Sequence, residues 1–212
     1  MIRLLLAEDQ VMMREALATL LSMEDDLQVV AQVSSGADVL TAALESRPEV
    51  ALLDIEMPGG DGLAAAAALR RELPAVKVVI LTAFGRPGFL RRAMDAGASG
   101  YLLKDRPAGE LASAIRRTLG GHTVVDPELA LAALTAGENP LTPREMDVLT
   151  AARAEATVAD IARALHLSTG TVKNYLSVAI GKLGARNRAD AVRIARDRGW
   201  LDLPTVRRHP RD

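Results

Sequence analysis

Four apolar runs in this sequence end in polar residues that could do chemistry together. In an open parallel sheet, ligands and reactive groups lie at the carboxyl ends of the strands. Polar residues that follow strand-like runs are therefore candidates for one shared site. These candidates are Glu8 and Asp9 after the first run, and Asp54, Thr82 and Lys104 after three later runs.

The combination of residue types favours phosphoryl chemistry at a magnesium site. Mg²⁺ prefers oxygen ligands, which the carboxylates of Glu8, Asp9 and Asp54 could supply. A carboxylate beside a metal ion and a lysine ammonium can accept a phosphoryl group, because both cations neutralise the developing charge. Lys104 would supply the ammonium, and the Thr82 hydroxyl would donate a hydrogen bond. Asp54 is then the predicted nucleophile.

Each of these residues also has a simpler structural explanation. Glu8 and Asp9 would favour the N-terminus of a following helix, and Lys104 could be a solvated surface charge. Their order along the chain argues for a joint site instead. An acid pair, an Asp, a Thr and a Lys each follow a different predicted strand.

The N-terminal part alternates strand-like apolar runs with helix-like stretches. This alternation predicts βαβ units, and hence an α/β doubly wound, five-stranded parallel sheet. The predicted strands lie near residues 2–7, 28–33, 49–54, 77–82 and 100–103, and the predicted helices near 10–22, 36–46, 61–72, 87–96 and 107–119.

The C-terminal part carries signals for an all-α, four-helix domain. Thr142, Pro143 and Glu145 form a capping box with proline at the first helical position. The predicted helices lie near residues 142–154, 157–165, 168–183 and 187–198. The tight turn between the second and third is typical of a helix-turn-helix. The predicted domains are residues 1–121, a linker over 122–138, the helix-turn-helix domain over 139–202 and a tail over 203–212.

Composition excludes several classes of function. The 212 residues include no Cys and only three His, which argues against disulfides, thiolate metal sites and redox chemistry. No apolar run approaches the roughly 20 residues of a membrane span, so a cytoplasmic protein without membrane insertion is expected. The net charge is −1, but residues 163–198 hold eight basic and two acidic residues. That is a local basic face, which suits nucleic acid.

The predicted second helix of the helix-turn-helix would enter the major groove of double-stranded DNA. Its expected exposed residues are Thr169, Thr171, Lys173, Asn174 and Ser177. Lys173 and Asn174 are the best candidates for base contacts, and Lys182, Arg186 and Arg188 are candidates for further contacts to the DNA. For about half of the charges between Arg186 and Arg198, a solvated helix face is the alternative interpretation. Aromatic residues make up only 2% of the chain, which argues against stacking on RNA or single strands.

Taken together, these candidate sites resemble those of the two-component bacterial response regulators of the NarL/FixJ type, which have a CheY-like receiver and a LuxR-type helix-turn-helix. The resemblance covers residues 1–200. It is carried by residues 7–9, 54–62, 81–83 and 96–104, and by Leu141-Thr142-Pro143-Arg144-Glu145 with Gly170-Thr171-Val172-Lys173-Asn174. Residues 7–10 and 82–89 also look like regulators paired with membrane-fluidity kinases that control fatty-acid desaturases.

The resemblance implies a role for each site residue. Asp54 would take a phosphoryl group from a sensor histidine kinase, and the Glu56 backbone carbonyl would join the carboxylates around Mg²⁺. Thr82, Tyr101 and Lys104 would relay the change, with Tyr101 turning inward. The expected result is a homodimer that binds promoter DNA and regulates transcription, with RNA polymerase as a further partner. The pairing face stays open between one around Arg91, Lys104 and Arg116 and one joining the first helix, with Val11 and Leu17, to the fifth.

Some features depart from this family or allow other functions. Glu155-Ala156 stands where a glycine is usual, Tyr175 where His is usual, and Ser177 is uncharged where relatives can carry Lys. A phosphatase is an alternative, because Glu56 lies two residues after the candidate nucleophile, at the spacing of an acid/base residue. A binding module that never uses phosphate is a third possibility. The second domain argues for the non-enzymatic interpretation.

Overall fold

The computed structural model describes residues 1–58, 60–83, 87–135, 139–152 and 156–201. The chain divides into two compact units, an N-terminal α/β unit and a C-terminal helical unit. Among the described residues, no helix combines the length and apolar character that crossing a membrane requires.

The α/β unit is built on a parallel sheet with the strand order β2-β1-β3-β4-β5-β6. The strands are β1 (Ile2–Ala7), β2 (Leu27–Val33), β3 (Val50–Asp54), β4 (Lys77–Thr82), β5 (Gly100–Leu103) and β6 (Val124–Val125). The helices wholly within it are α1 (Val11–Ser22), α2 (Val39–Ser46), α3 (Gly62–Glu72) and α5 (Ala108–Leu119). Of α4 (Pro87–Asp95) and α6 (Pro127–Thr135), residues 90–95 and 127–131 belong to this unit. A short 3₁₀ turn, Gly36–Asp38, precedes α2.

The register of the central strands brings the predicted site residues to one edge. Every residue of β3 is buried, as expected for a central parallel strand covered on both faces. Ala7 pairs with Leu53, so Glu8 follows directly beside the end of β3. Thr82 pairs with Leu103, so Lys104 follows beside the end of β4. The doubly wound parallel sheet is thus confirmed, together with the alignment of its strand ends.

The prediction of five strands was wrong by one, because β6 adds a sixth strand at the edge of the sheet. Val124 and Val125 pair with Gly100 and Tyr101 of β5. Two residues are too few to show the alternation that identifies a strand in a sequence. Their pairing depends on α5 returning the chain to the free edge of β5. The predicted linker over residues 122–138 therefore contains β6 and α6, while the domain boundaries themselves stay predictions.

The helical unit contains α7 (Pro143–Ala151), α8 (Val158–Ala164), α9 (Thr169–Leu183) and α10 (Arg188–Asp197). Capping boxes open α7 and α8, and the hydroxyl of Ser168 accepts from the backbone N–H of Thr171 at the start of α9. The core contains Val148, Leu149, Ile161, Val172, Leu176 and Ala191. Residues 153–155, which include the end of the first predicted helix and Glu155, lie outside the described residues.

A tight turn joins α8 to α9, as the helix-turn-helix prediction requires. His166 has a left-handed backbone conformation with φ of 54°, and the N–H of Leu167 donates to the carbonyl of Ala162. The turn reverses the chain between the two helices, and α9 packs against both α7 and α8. The four helices of the prediction are therefore present.

Candidate phosphoacceptor and DNA-binding sites

A buried ionic cluster lies at the carboxyl edge of the sheet in the α/β unit. Asp54 ends β3 and is 4% exposed, and Glu8 follows β1 and is 1% exposed. Lys104 places its Nζ 2.5 Å from Oε2 of Glu8 and 2.8 Å from Oδ2 of Asp54. A single ammonium therefore contacts two buried carboxylates. Since burying charges is costly unless they are paired, this arrangement needs all three groups together.

The oxygen atoms around this cluster fit a small divalent cation. Glu8, Asp9 and Asp54 each offer one carboxylate oxygen, and these atoms lie within 4.8 Å of one another. Asp9 is exposed, so the group opens to solvent on one side. Oxygen donors at such separations suit Mg²⁺, which keeps some of its own water. The backbone of Glu56 helps to lower the pKa of Asp54, whereas the metal-binding role of the Glu56 carbonyl stays a prediction.

Burial and neighbouring charges shift the pKa values of Asp54 and Lys104 in opposite directions. Burial raises the pKa of Asp54 to about 6, although the Lys104 ammonium lowers it in part. For Lys104, burial alone would lower the pKa, but the carboxylates of Asp54 and Glu8 outweigh burial and raise it. The ammonium is therefore firmly charged. A nearby cation would favour the carboxylate form of Asp54, because an opposite charge stabilises the ionised group.

Contacts between side chains and the main chain hold the loop that carries Glu8, and close main-chain packing holds the loop after Asp54. The Arg14 guanidinium donates to the main-chain carbonyl of Glu8 at 2.7 Å, and the N–H of Gln10 donates to Oε1 of Glu8. At Gly62, a Cβ atom would lie 2.0 Å from the carbonyl oxygen of Asp54, so only glycine allows α3 to start this close. No sequence pattern indicated Arg14. Gly62 was visible only as part of the family motif.

The two remaining predicted relay residues lie beside the cluster. Thr82 is 5% exposed at the end of β4, and its carbonyl accepts from the N–H of Lys104 at 2.9 Å. Tyr101 on β5 is completely buried. The inward turn of Tyr101 was expected only after phosphorylation, yet this structure already has the side chain buried. The relay roles of both residues stay predictions.

In the helical unit, most predicted base-contacting residues of α9 lie on its exposed side. Thr169, Lys173, Asn174 and Ser177 are exposed, whereas Val172 and Leu176 face the core. Thr171 is only half-buried, and its hydroxyl lies 2.8 Å from that of Ser168 at the start of the helix. Thr171 thus completes the cap of α9, which leaves its hydroxyl less available for DNA.

The three further cations predicted to contact DNA have intramolecular partners. Lys182 Nζ lies 2.9 and 2.8 Å from the two carboxylate oxygens of Glu145. Arg186 pairs with Asp190 at 3.3 Å, and the guanidinium of Arg188 donates to the carbonyl of Ala156 at 2.7 Å. Glu145 is buried, so its pair with Lys182 ties α9 to α7. The DNA-binding role of these cations stays a prediction, but each also has a structural role.

An α/β unit with an acidic edge site, followed by a helix-turn-helix, is the architecture of a regulator that joins a signal-receiving domain to a DNA-binding domain. The response regulator receiver domain matches residues 4–116, and the luxR family of bacterial regulatory proteins matches residues 139–195. The chain belongs to the response regulators of this LuxR-type family, as the sequence resemblance predicted.

Relatives along nearly the whole chain support this assignment. The chain is 47% identical to the uncharacterized transcriptional regulatory protein YvfU of Bacillus subtilis over 201 residues, covering 95% of this chain and 100% of the relative. It is 42% identical to the transcriptional regulatory protein DesR of the same organism, with the same coverage. These relatives are transcription regulators, which favours the non-enzymatic interpretation over a phosphatase. The narrower resemblance to membrane-fluidity regulators stays a prediction.

Solved structures show the same architecture. The response regulator ChrA of a heme-sensing two-component system is 33% identical, with a TM-score of 0.58 and coverage of 94% of this chain and 98% of that one. The RcsB–DNA complex has a TM-score of 0.66 over 92% of this chain and 98% of that one. At 21% identity, the RcsB likeness shows the fold alone.

The pair between Glu145 and Lys182 predicts a pH-dependent stability of the helical unit. Burial alone would raise the pKa of Glu145, but the Lys182 ammonium and the Thr142 backbone N–H outweigh it and hold the pKa below its ordinary value of 4.5. The stabilisation is therefore present above that value and is lost as the pH falls through the lowered pKa. We expect Glu145→Gln to lower the free energy of unfolding at neutral pH by about 1–3 kcal/mol, as for hydrogen bonds to charged groups.

Denaturant unfolding followed by the fluorescence of Trp200, the single tryptophan, measures this effect at several pH values. The difference between Glu145→Gln and the wild type should shrink on acidification. Asp147→Asn is the matched control on the same helix, because Asp147 makes only an exposed pair with Arg144 and should contribute little. Equal stability of the Glu145 variant and the wild type at neutral pH would remove the assigned role.

Proposed function

We propose that this response regulator accepts a phosphoryl group on Asp54 from a sensor histidine kinase, in a Mg²⁺-dependent step, and then binds promoter DNA as a dimer. The observation that carries the proposal is the Lys104 ammonium, held between the carboxylates of Asp54 and Glu8 at 2.8 and 2.5 Å. The oxygen donors of Glu8, Asp9 and Asp54 would hold the metal ion, which supplies positive charge to the phosphoryl oxygens.

The residues at the edge of the sheet perform the transfer as follows. A carboxylate oxygen of Asp54 attacks phosphorus, and the bond from phosphorus to the donor nitrogen breaks as the new bond to oxygen forms. The imidazole of the donor leaves with the bonding electron pair, and it leaves as a neutral ring because its other nitrogen carries a proton. Lys104, already beside Asp54, then pairs with a phosphoryl oxygen, and the Thr82 hydroxyl can donate to another. Burial of the cluster strengthens both interactions, because it excludes bulk water.

Asp54→Asn should abolish phosphorylation, because the amide keeps the size of the side chain but lacks the nucleophilic carboxylate. The test uses acetyl phosphate with Mg²⁺ as the phosphodonor and intact-protein mass spectrometry as the readout. Asp61→Asn is the control, since Asp61 only caps α3 by accepting from the N–H of Ala64, and it should be phosphorylated like the wild type. Uptake by Asp54→Asn at the wild-type rate would show that another residue is the acceptor.

The DNA-binding part of the proposal relies on side chains of α9 that have no other task. In the parts of the chain that the structure describes, the side chains of Lys173 and Asn174 are exposed and form no hydrogen bond or ion pair. Lysine can donate to guanine acceptors, and asparagine can bond adenine in two places. The N-terminal half of this helix, where both residues lie, is the part that reaches base edges in helix-turn-helix proteins.

Lys173→Ala and Asn174→Ala should weaken binding to the specific operator by about 1–3 kcal/mol each, the usual value of a good base contact. Binding to random duplex should change much less, because base contacts specify while phosphate contacts position. The measurement is the affinity for both duplexes over a range of salt concentrations. Arg186→Ala is the comparison, and a phosphate contact there would weaken both DNAs alike and lower the salt slope by about one. Equal losses on both DNAs for Lys173→Ala would assign Lys173 to phosphate.

The dimer part of the proposal rests on an apolar surface of α1. Met12, Leu20 and Met23 are 85%, 43% and 75% exposed, and their spacing places them on one side of the helix. Leu20 also lines a cavity of about 410 Å³ between α1 and α5. In the other candidate face, around Arg91, Lys104 and Arg116, two of the three cations already have partners. Lys104 is buried in its ion pairs, and Arg116 is bonded to Asp26 and Glu24. The face joining α1 to α5 is therefore the better pairing surface for a second copy.

Phosphorylation should convert the wild type from monomer to dimer in sedimentation with acetyl phosphate and Mg²⁺. Leu20→Asp should be phosphorylated normally but stay monomeric, because a second copy would bury unpaired carboxylates. Leu44→Asp is the matched control, since Leu44 is an apolar residue of α2 that is 54% exposed and lies away from this face. A phosphorylated wild type that stays monomeric yet binds its operator tightly would contradict dimerisation. Normal dimers of Leu20→Asp would move the interface elsewhere.

A further inference from the structure

A second ionic contact lies two residues beyond Lys104, where β5 leads into α5. The guanidinium of Arg106 donates through Nε and Nη2 to the two carboxylate oxygens of Asp126, both at 2.6 Å. Asp126 is 3% exposed, whereas the Arg106 side chain is 30% exposed. Such paired bonds between Arg and a carboxylate fix orientation as well as distance. The contact joins two segments that lie 20 residues apart in the chain.

Asp126 makes three more bonds that connect it to different parts of the α/β unit. Its backbone N–H donates to the carbonyl of Tyr101 at 3.1 Å, which extends the pairing of β5 with β6. Its carboxylate accepts from the N–H of Glu128 at 3.1 Å, and its carbonyl accepts from the N–H of Ala130 at 3.0 Å. The last two bonds form the first turn of α6. One residue thus holds β5, the loop after Lys104 and the start of α6.

We propose that Arg106 and Asp126 are positioning residues that couple the phosphoacceptor site to the first turn of α6, the helix that leads along the chain toward the DNA-binding domain. This inference rests on the proposed phosphorylation of Asp54. It adds a route by which the modified site reaches the rest of the chain.

The coupling follows from how few residues separate the two points that contact Asp126. Asp126 is bonded to β5 at Tyr101 and to the following loop at Arg106, and Lys104 lies between these two points. When Asp54 carries a phosphoryl group, Lys104 has to pair with an oxygen farther from the Asp54 backbone. Main-chain movement at Lys104 then displaces Arg106, because Pro107 follows at once and restricts the backbone. Asp126 transfers this displacement to the bonds with Glu128 and Ala130.

The test compares the gain in DNA affinity on phosphorylation among matched variants. The probe is a duplex selected from a randomised pool by the phosphorylated wild type, and the phosphodonor is acetyl phosphate with Mg²⁺. Arg106→Ala and Asp126→Asn should be phosphorylated like the wild type. In each, the factor by which phosphorylation raises DNA affinity should be at least about fivefold smaller than in the wild type, the lower end for coupling between two sites. The double variant should lose no more than either single variant, because both remove the same contact. If Asp126→Asn fails to fold, Arg106→Ala carries the test.

Asp61→Asn is the control, because the Asp61 carboxylate only caps α3 by accepting from the N–H of Ala64 at 2.7 Å. It should keep the wild-type gain. A second readout is hydrogen exchange at the amides of Glu128 and Ala130, which should change on phosphorylation in the wild type and not in the two variants. A role in stability alone would lower the unfolding free energy without changing either result.

Each other outcome counts against the inference. An unchanged gain in both Arg106→Ala and Asp126→Asn overturns it, and so does an equal loss in Asp61→Asn. Variants that no longer take up phosphate, beside a wild type that does, show that the contact acts on the acceptor site itself and not on coupling. A wild type that takes up no phosphoryl group overturns the proposed function, and the inference falls with it.

Discussion

The pairing of the Lys104 ammonium with the Glu8 and Asp54 carboxylates is the interaction on which the arrangement of the strand ends in the α/β unit depends. Three buried charges are tolerated only when they are held together, since an isolated buried charge is strongly unfavourable. They come from three different strand ends, so β1, β3 and β5 must keep their register relative to one another. Two carboxylates around one ammonium also leave an excess of negative charge. That excess, beside the exposed carboxylate of Asp9, is what suits the site to a divalent cation.

The sequence predicted those parts of the structure in which chemistry and chain order coincide. Asp54 and Lys104 each follow an apolar run, and parallel strands end at one edge, so their meeting could be inferred without coordinates. Helix starts such as Thr142 were equally readable, because a capping box depends on residues three apart. The strand β6 and the contact between Arg106 and Asp126 were not readable. Both form between segments that approach only after α5 has folded onto the sheet, and neither has a local pattern.

The same distinction explains the basic residues of the helical unit. A count of charges treats Lys173 and Lys182 alike, since both lie on α9. The structure separates them, because Lys182 pairs with Glu145, which lies 37 residues earlier in the sequence, whereas Lys173 has no side-chain partner among the described residues. Charge composition therefore identified the surface that suits DNA, but not which cations are committed to packing. Only non-local contacts distinguish a cation that holds the domain together from one available to a ligand.

The contacts that each helix makes indicate where the proposed phosphorylation can act. Helix α9 is fixed at its start by the Ser168 cap, at its end by the pair between Lys182 and Glu145, and along its length by the buried Val172 and Leu176. A helix held in this way has little freedom to change the bases it contacts. In contrast, the apolar side chains of α1 are exposed to solvent, and the first turn of α6 depends on bonds from Asp126. Under the proposed phosphorylation of Asp54, the signal would therefore act on how the DNA-reading helices of two copies are brought together, and would leave the surface of each helix as it is.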